Sequence, residues 1–152
     1  MNIKQILSIT HTLNNVQEDT KKGAFELISQ LASIGEDINS KEILEELFNR
    51  ERLGSTNLGK GIAVPHCRID GIKLPIAVLV HLEKPIHYDD NDSDPVDILF
   101  TIIVPKKSEQ EHLEILSAIA QAVKNKNLLN QIRNAENDEQ LYKIAIKGIS
   151  SK

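Results

Sequence analysis

The chain has 152 residues and a formal net charge of −4, and 40% of its residues are hydrophobic and 26% charged. This length predicts a single domain over 1–152, and the charge balance disfavours a nucleic-acid binder that depends on phosphate contacts. One cysteine, Cys67, excludes an internal disulfide and fits a reducing compartment. Because the sequence shows no secretory signal and no apolar run long enough to span a bilayer, we expect a cytoplasmic protein without membrane insertion.

The first third of the sequence predicts helices. Residues 3–7 suggest a short helix, which a polar lead-in follows. A one-sided apolar pattern then predicts a helix over 20–33 that Gly35 ends, and a second helix over 41–52. Each of these helices has one apolar side, so each is expected to pack against a core.

Three apolar runs in the middle of the chain predict strands. They cover 62–64, 76–82 and 98–104, and the last two are almost continuously apolar, which is typical of strands covered on both faces. The link between the first two runs is too short for a comfortable helical crossover, so we predict a mixed sheet. The polar and acidic link over 83–96 indicates a surface loop or hairpin.

The last third predicts helices again. Ser108-Glu109-Gln110-Glu111 has the pattern of a capping box and opens a helix of about 109–124, whose expected buried stripe includes Leu113. Further helices are predicted over 127–134 and from 137 onward. The order of elements predicts an α/β protein, with a mixed parallel and antiparallel central sheet flanked by helices.

The stretch 50–68 carries the strongest candidate for chemistry. It leaves a charged helix end, crosses a Gly-rich loop and a short apolar run, and stops at His66. A neutral imidazole is nucleophilic and titrates near physiological pH. The hydroxyls of Ser55 and Thr56 and the guanidinium of Arg52 are groups that suit a phosphoryl ligand. The alternative is a hydrogen-bonded histidine at a strand end beside an ordinary turn.

His112 is the second candidate. It lies in the first turn of the helix predicted over 109–124, where the positive end of the helix attracts anions and favours a neutral imidazole. A neutral ring there could orient a phosphate on His66. The alternative is a solvated histidine in the first helical turn.

A metal site is the weakest interpretation. His66, Cys67 and His112 could be drawn as ligands, but neighbouring strand residues point to opposite faces and would rarely bind one ion. The sequence also lacks Cys-x-x-Cys and His-Glu-x-x-His spacings. We therefore predict neither a metal nor a cofactor.

Several motifs resemble one family. They are Arg-Glu-Arg-Leu-Gly-Ser-Thr at 50–56, Gly-Ile-Ala-Val-Pro-His at 61–66, Asp-Pro-Val-Asp-Ile-Leu-Phe at 94–100 and Glu-His-Leu-Glu-Ile-Leu at 111–116. In this order they resemble the enzyme IIA domains of the mannitol/fructose class of the bacterial phosphotransferase system, the EIIA type-2 domains. The resemblance covers nearly the whole chain, and it is greatest for the nitrogen-regulatory branch.

The resemblance implies roles for five residues. His66 matches the histidine that accepts a phosphoryl group from an HPr-like phosphocarrier. Arg52 matches an arginine that would neutralise the phosphoryl oxygens, and His112 matches a second histidine that would support the phosphate without being phosphorylated. Ser55 and Thr56 match the loop that lines the pocket.

The resemblance also implies partners and leaves alternatives open. Phosphorylation would be sensed by regulatory targets such as a potassium transporter or a sensor kinase. A sugar-specific component would instead pass its phosphate to a IIB domain, and a non-catalytic binding module would pass none.

Two positions depart from the family pattern. Cys67 stands where Gly is common and could make the site oxidisable, and Lys60 stands where a small or polar residue is frequent.

Overall fold

The computed structural model describes residues 2–90, 94–107 and 110–150, which form a mixed sheet between two helical layers. The strands are β1 (Leu7–Val16), β2 (Asn57–Gly59), β3 (Ile62–Ala63), β4 (His66–Ile69), β5 (Ile76–Ile86) and β6 (Val96–Pro105). Their order is β1-β5-β6-β3-β2, and β4 also pairs with β6. The pairs β1-β5, β3-β6 and β4-β6 are parallel, whereas β5-β6 and β2-β3 are antiparallel, so the predicted mixed sheet is confirmed.

Two groups of helices cover the sheet. After a 3₁₀ turn at Ile3–Gln5, the helices are α1 (Lys21–Ser33), α2 (Ser40–Arg52), α3 (Gln110–Ala122), α4 (Lys126–Arg133) and α5 (Asp138–Ser150). The first two helices share one apolar cluster with the sheet, and the other three share a second cluster on the opposite face. The predicted α/β class is therefore confirmed. Of the helices described, none is both long enough and apolar enough to cross a membrane.

The two central strands explain the apolar runs in the sequence. Leu79 and Phe100 pack toward α3, α4 and α5, whereas Val80 and Leu99 pack toward α1 and α2. All four side chains are fully buried. Burying each one contributes roughly 1.5–3 kcal/mol to folding. A strand that buries both faces has no polar alternation, which is why these runs are continuous.

The prediction for the N-terminus was correct only for a helical turn and missed a strand. The short helix is only the 3₁₀ turn at Ile3–Gln5, and the polar lead-in is the edge strand β1. β1 pairs with β5 through two register shifts, and Asn15 has a positive φ of 58°. Because these irregularities interrupt the alternation of buried and exposed side chains, the sequence lacks the period-two pattern that identifies a strand.

The segment around His66 is also organised differently from the prediction. The strand does not end at His66, because β3 and β4 both pair with β6 on either side of a break at Val64-Pro65. The carbonyl of Pro65 accepts a hydrogen bond from the amide of Ile102 at 3.0 Å, which keeps the chain in line across the break. His66 therefore begins a strand.

Two further predictions concern the approach to α3. Ser108 and Glu109 of the predicted capping box lie outside the described residues. Of the predicted stripe, Ile119 and Val123 are buried as expected, whereas Leu113 is 37% exposed and Ile115 is buried in addition. Leu113 therefore lies at the exposed edge of this stripe, near the candidate site.

Candidate functional site

The backbone at the break between β3 and β4 holds the His66 ring in one tautomer. Its Nδ1 lies 2.9 Å from the carbonyl oxygen of Val64, and a carbonyl only accepts, so Nδ1 carries the proton. Its Nε2 accepts a hydrogen bond from the Nε of Arg50 at 3.2 Å. The unprotonated ring nitrogen is therefore Nε2, and its lone pair accepts the hydrogen bond from Arg50.

Arg50, not Arg52, is the arginine that contacts His66. Its Nη1 also donates to the carbonyl of Gly54 at 2.7 Å, so the guanidinium links the imidazole to the loop after α2. Arg52 is exposed and donates to the side chain of Asn49. The role that the resemblance implies for Arg52 remains a prediction, and Arg50 is a candidate that sequence reasoning missed.

Helical periodicity is the signal that could have found Arg50. The buried residues Ile43 and Leu47 are four positions apart, and Arg50 follows Leu47 by three, so these three lie on one side of α2. Arg52 follows Leu47 by five positions and points away from that side. Of the two arginines, only Arg50 is therefore directed toward the sheet.

A cavity of about 550 Å³ opens beside His66. Arg50, Arg68 and Lys106 bring positive charge to its lining, which suits an anionic group. Its apolar lining includes the exposed side chains of Leu53 and Leu113. The remaining lining residues are Glu46, Asn49, Cys67, Val104 and Leu116. A cationic recess with exposed leucines beside it suits a phosphoryl group carried on another protein.

The surroundings of His66 favour its neutral form. Burial lowers its pKa from the usual value of 6.5, and the cations of Arg50 and Arg68 lower it further. The hydrogen bond to the Val64 carbonyl and the charge of Glu51 raise the pKa, but the net shift is downward. At neutral pH the ring is therefore mainly neutral, with its lone pair on Nε2.

Ser55 and Thr56 lie close to the site but are engaged elsewhere. The hydroxyl of Ser55 accepts from the amide of Asn57 at 3.1 Å, and the buried hydroxyl of Thr56 donates to Glu51 at 2.7 Å. In the described part of the chain, neither is among the side chains that line the cavity. Their role in binding phosphate directly remains a prediction.

His112 is buried, at 5% exposure, in the first turn of α3. The solvated alternative is therefore wrong. The same helix reaches the His66 cavity through Leu113 and Leu116. Support of a phosphate by His112 remains a prediction.

Known proteins resemble this chain over nearly its whole length. The family described as "Phosphoenolpyruvate-dependent sugar phosphotransferase system, EIIA 2" matches residues 5–147. The chain belongs to this family. A nitrogen regulatory protein from Pseudomonas aeruginosa is 39% identical over 145 residues, which cover 95% of this chain and 94% of that protein. The nitrogen regulatory protein of Escherichia coli is 36% identical, with 95% and 89% covered.

A solved structure extends the likeness to the fold. The crystal structure of nitrogen regulatory protein IIA-Ntr from Neisseria meningitidis matches with a TM-score of 0.87 and 31% identity, covering 94% of this chain and 98% of that one. The resemblance found in the sequence is therefore confirmed. As a member of the EIIA 2 family, the protein is a component of a phosphotransfer system.

The two departures from the family pattern have different surroundings. Cys67 is buried next to His66, and burial, followed by the charges of Glu46 and Glu42, raises the pKa of its thiol to about 12. Lys60 is exposed in the turn between β2 and β3, with a positive φ of 59°. Neither side chain takes a hydrogen-bonding position at His66.

The candidate site offers no metal ligand set. Within residues 2–90, 94–107 and 110–150, no group of three or more His, Cys, Asp or Glu side chains is arranged to hold a metal ion. The cations of Arg50 and Arg68, which line the cavity with His66, suit an anionic phosphoryl group.

Proposed function

We propose that this member of the EIIA 2 family is a cytoplasmic phosphocarrier that accepts a phosphoryl group on Nε2 of His66 from an HPr-like protein. The observation that carries the proposal is the geometry of one imidazole. Nδ1–H is held by the Val64 carbonyl, and Nε2, beside a cationic cavity, keeps its lone pair. A nucleophile fixed in one tautomer needs no change of tautomer before it attacks.

The transfer exchanges one P–N bond for another. The lone pair of Nε2 forms a bond to phosphorus while the P–N bond of the donor phosphohistidine breaks, and its electron pair returns to the donor imidazole. Because Nδ1 keeps its proton, the phosphorylated ring of His66 carries a formal positive charge, which the carbonyl of Val64 stabilises. Little covalent chemistry is left to the protein beyond positioning and charge stabilisation.

Arg50 has to change partners during the transfer. Its Nε donates to Nε2 in the free protein, so this hydrogen bond must be released when phosphorus approaches. The same guanidinium can then donate to the phosphoryl oxygens, with its Nη1 still held at the carbonyl of Gly54. The cations of Arg68 and Lys106 add to the attraction for the incoming phosphoryl group.

We infer that the phosphorylation state is used for regulation. Support comes from the 36–39% identity to nitrogen regulatory proteins over nearly the full length of both partners. A phosphoryl group adds about two negative charges to the cavity, which changes the proteins that fit there. Regulatory targets, such as a potassium transporter or a sensor kinase, would distinguish the two states.

The second candidate is a sugar-specific role, because the family is described as a sugar phosphotransferase system. The chemistry on His66 would be the same, and the acceptor would be a IIB domain. Mixing the phosphorylated protein with purified fructose-type and mannitol-type IIB domains separates the two roles. Fast transfer to a IIB domain would favour the sugar-specific role, whereas a stable phosphoprotein favours the regulatory one.

The proposal is tested by intact-mass spectrometry. The protein is incubated with phosphoenolpyruvate, the general first enzyme of the system and an HPr-like carrier. We expect one acid-labile phosphoryl group on the wild type and on His87→Ala, which removes a well exposed histidine, and none on His66→Ala. An undiminished gain in His66→Ala would refute the proposal, as would no gain in the wild type.

A further inference from the structure

A buried carboxylate lies directly behind the site. Glu51, in the last turn of α2, is 9% exposed. Its oxygens accept hydrogen bonds from the amide and the hydroxyl of Thr56, at 3.0 and 2.7 Å, and from the hydroxyl of Tyr88 at 3.3 Å. The ammonium of Lys21 lies 3.0 Å from Oε2. A buried carboxylate is costly unless it is paired and hydrogen-bonded, and here donors from separate parts of the chain converge on one group.

A continuous path of hydrogen bonds joins Glu51 to the reactive imidazole. The amide of Thr56 is fixed on Glu51, and its carbonyl accepts from the amide of Val64 at 3.0 Å. The carbonyl of Val64 in turn accepts from Nδ1 of His66 at 2.9 Å. Val64 is thus held from the loop side at its amide and presents its carbonyl to the ring.

Arg50 and Glu51 are neighbours in sequence, and each makes a hydrogen bond to the backbone of the same loop. Arg50 donates to the carbonyl of Gly54, and Glu51 accepts from the amide of Thr56. The loop over 54–56 is therefore fixed to the end of α2 at both of its ends. The helix end that supplies the arginine at Nε2 also fixes, through the loop, the carbonyl at Nδ1.

We propose that Glu51 is a positioning residue for phosphoryl transfer, which holds Thr56 and through it Val64 so that Nδ1 of His66 stays protonated and Nε2 stays unprotonated. This inference rests on the proposed function of His66. Glu51 makes no contact with the phosphoryl group in this scheme. It sets the tautomer and the direction of the nucleophile, and a small misplacement of a nucleophile is enough to slow a transfer strongly.

The variant Glu51→Gln tests the role, because it keeps the shape of the side chain and removes its charge. We expect phosphorylation by the HPr-like carrier to slow by about tenfold, since one oxygen acceptor and the Lys21 partner are lost. The matched control is Glu45→Gln, an exposed residue of the same helix, which should keep the wild-type rate.

Nitrogen NMR of the imidazole supplies a readout that a purely structural role would not give. The charge of Glu51 and the Val64 hydrogen bond both raise the pKa of His66, so weakening them should lower that pKa further and reduce the Nδ1–H population. General loosening of the site would do the opposite, because added water around the ring would raise the pKa toward 6.5.

The outcomes separate the two proposals. A wild type that takes up no phosphoryl group refutes the proposed function, while the tautomer measurement still tests the role of Glu51. The positioning role is overturned if Glu51→Gln keeps the wild-type rate and tautomer. It is also overturned if the variant is slow but the pKa of its His66 rises. If Glu51→Gln does not fold, Thr56→Val removes the hydroxyl that donates to Glu51 and that also lies 2.7 Å from the hydroxyl of Tyr88. A wild-type rate and tautomer in that variant would overturn the inference as well.

Discussion

The Nε of Arg50 lies 3.2 Å from Nε2 of His66, and this contact joins the end of α2 to the start of β4. It places a permanent cation at the nitrogen that is proposed to accept the phosphoryl group. The contact keeps that nitrogen unprotonated in the free protein, and it leaves a donor in place for the phosphoryl oxygens once the group arrives.

Arg50→Ala should slow phosphorylation by about 100-fold, the usual cost of removing one donor that stabilises a developing charge. Arg52→Ala should keep nearly the wild-type rate, because its guanidinium is turned toward Asn49. Rapid-quench measurements with phosphorylated HPr-like carrier compare the two variants, and circular dichroism checks that both fold. A slow Arg52→Ala and a normal Arg50→Ala would instead support the role that the family resemblance implies for Arg52.

The pKa of His66 should be measured below 6.5 by NMR titration, because burial and the nearby cations disfavour the charged ring. In Arg50→Gln the pKa should rise, since one of those cations is gone. In the wild type, the lowered pKa of His66 means that the folded state binds fewer protons than the unfolded state at pH values between this pKa and 6.5. The contribution of His66 to stability is therefore complete above pH 6.5 and falls as the pH drops through this window. A pKa at or above 6.5 in the wild type would contradict the prediction.

Cys67 should be inert in the native protein despite its place beside His66. Because burial raises the pKa of its thiol to about 12, the native protein carries almost no thiolate at pH 8. Iodoacetamide should therefore label the unfolded protein in guanidinium readily and the native protein far more slowly, as judged by intact mass. Cys67→Ser gives the background of the assay. Rapid labelling of the native protein would restore the expectation that the site is oxidisable.

The architecture was predictable from the sequence because its strongest signals are local. The runs that became β5 and β6 are apolar on both faces, and the helices from α1 to α5 each have an apolar side. These patterns arise because one or both faces of each element are buried, and the order of apolar and polar residues in the sequence reveals them. β1 was missed because its register shifts remove the alternation that a strand normally shows.

The site was predictable only in part. His66 stood out because a proline precedes it at the end of an apolar run. The arginine at its Nε2 was taken to be Arg52 from the family resemblance, although the helical spacing of Arg50 from the buried Ile43 and Leu47 favours Arg50. Glu51 was missed as well, because a carboxylate near a helix end is usually solvated. Glu51 differs from a solvated carboxylate because the tertiary fold brings the donors of Thr56 and Lys21 to it.

Gly61→Ala should destabilise the protein more than Gly59→Ala, although both glycines have a left-handed φ, +85° and +87°. The strain of a positive φ costs each variant about 1 kcal/mol. At Gly61 the added methyl group would also collide with the guanidinium of Arg133 and approach Oδ1 of Asp97 within 2.8 Å, whereas nothing lies within 4 Å at Gly59. Displacing Arg133 from Asp97 should cost about 1–3 kcal/mol more.

Urea unfolding at pH 7 measures this difference in the free energy of unfolding. A double-mutant cycle identifies its source, because Gly61→Ala should cost less when it is combined with Arg133→Ala, which removes the colliding group. The hydrogen bond from Arg133 to the Lys60 carbonyl, at 2.6 Å, ties this turn to α4. Since the turn leads into β3 and then His66, Gly61→Ala should also slow phosphorylation. Equal losses of stability at both glycines would show that Arg133 does not restrict the turn.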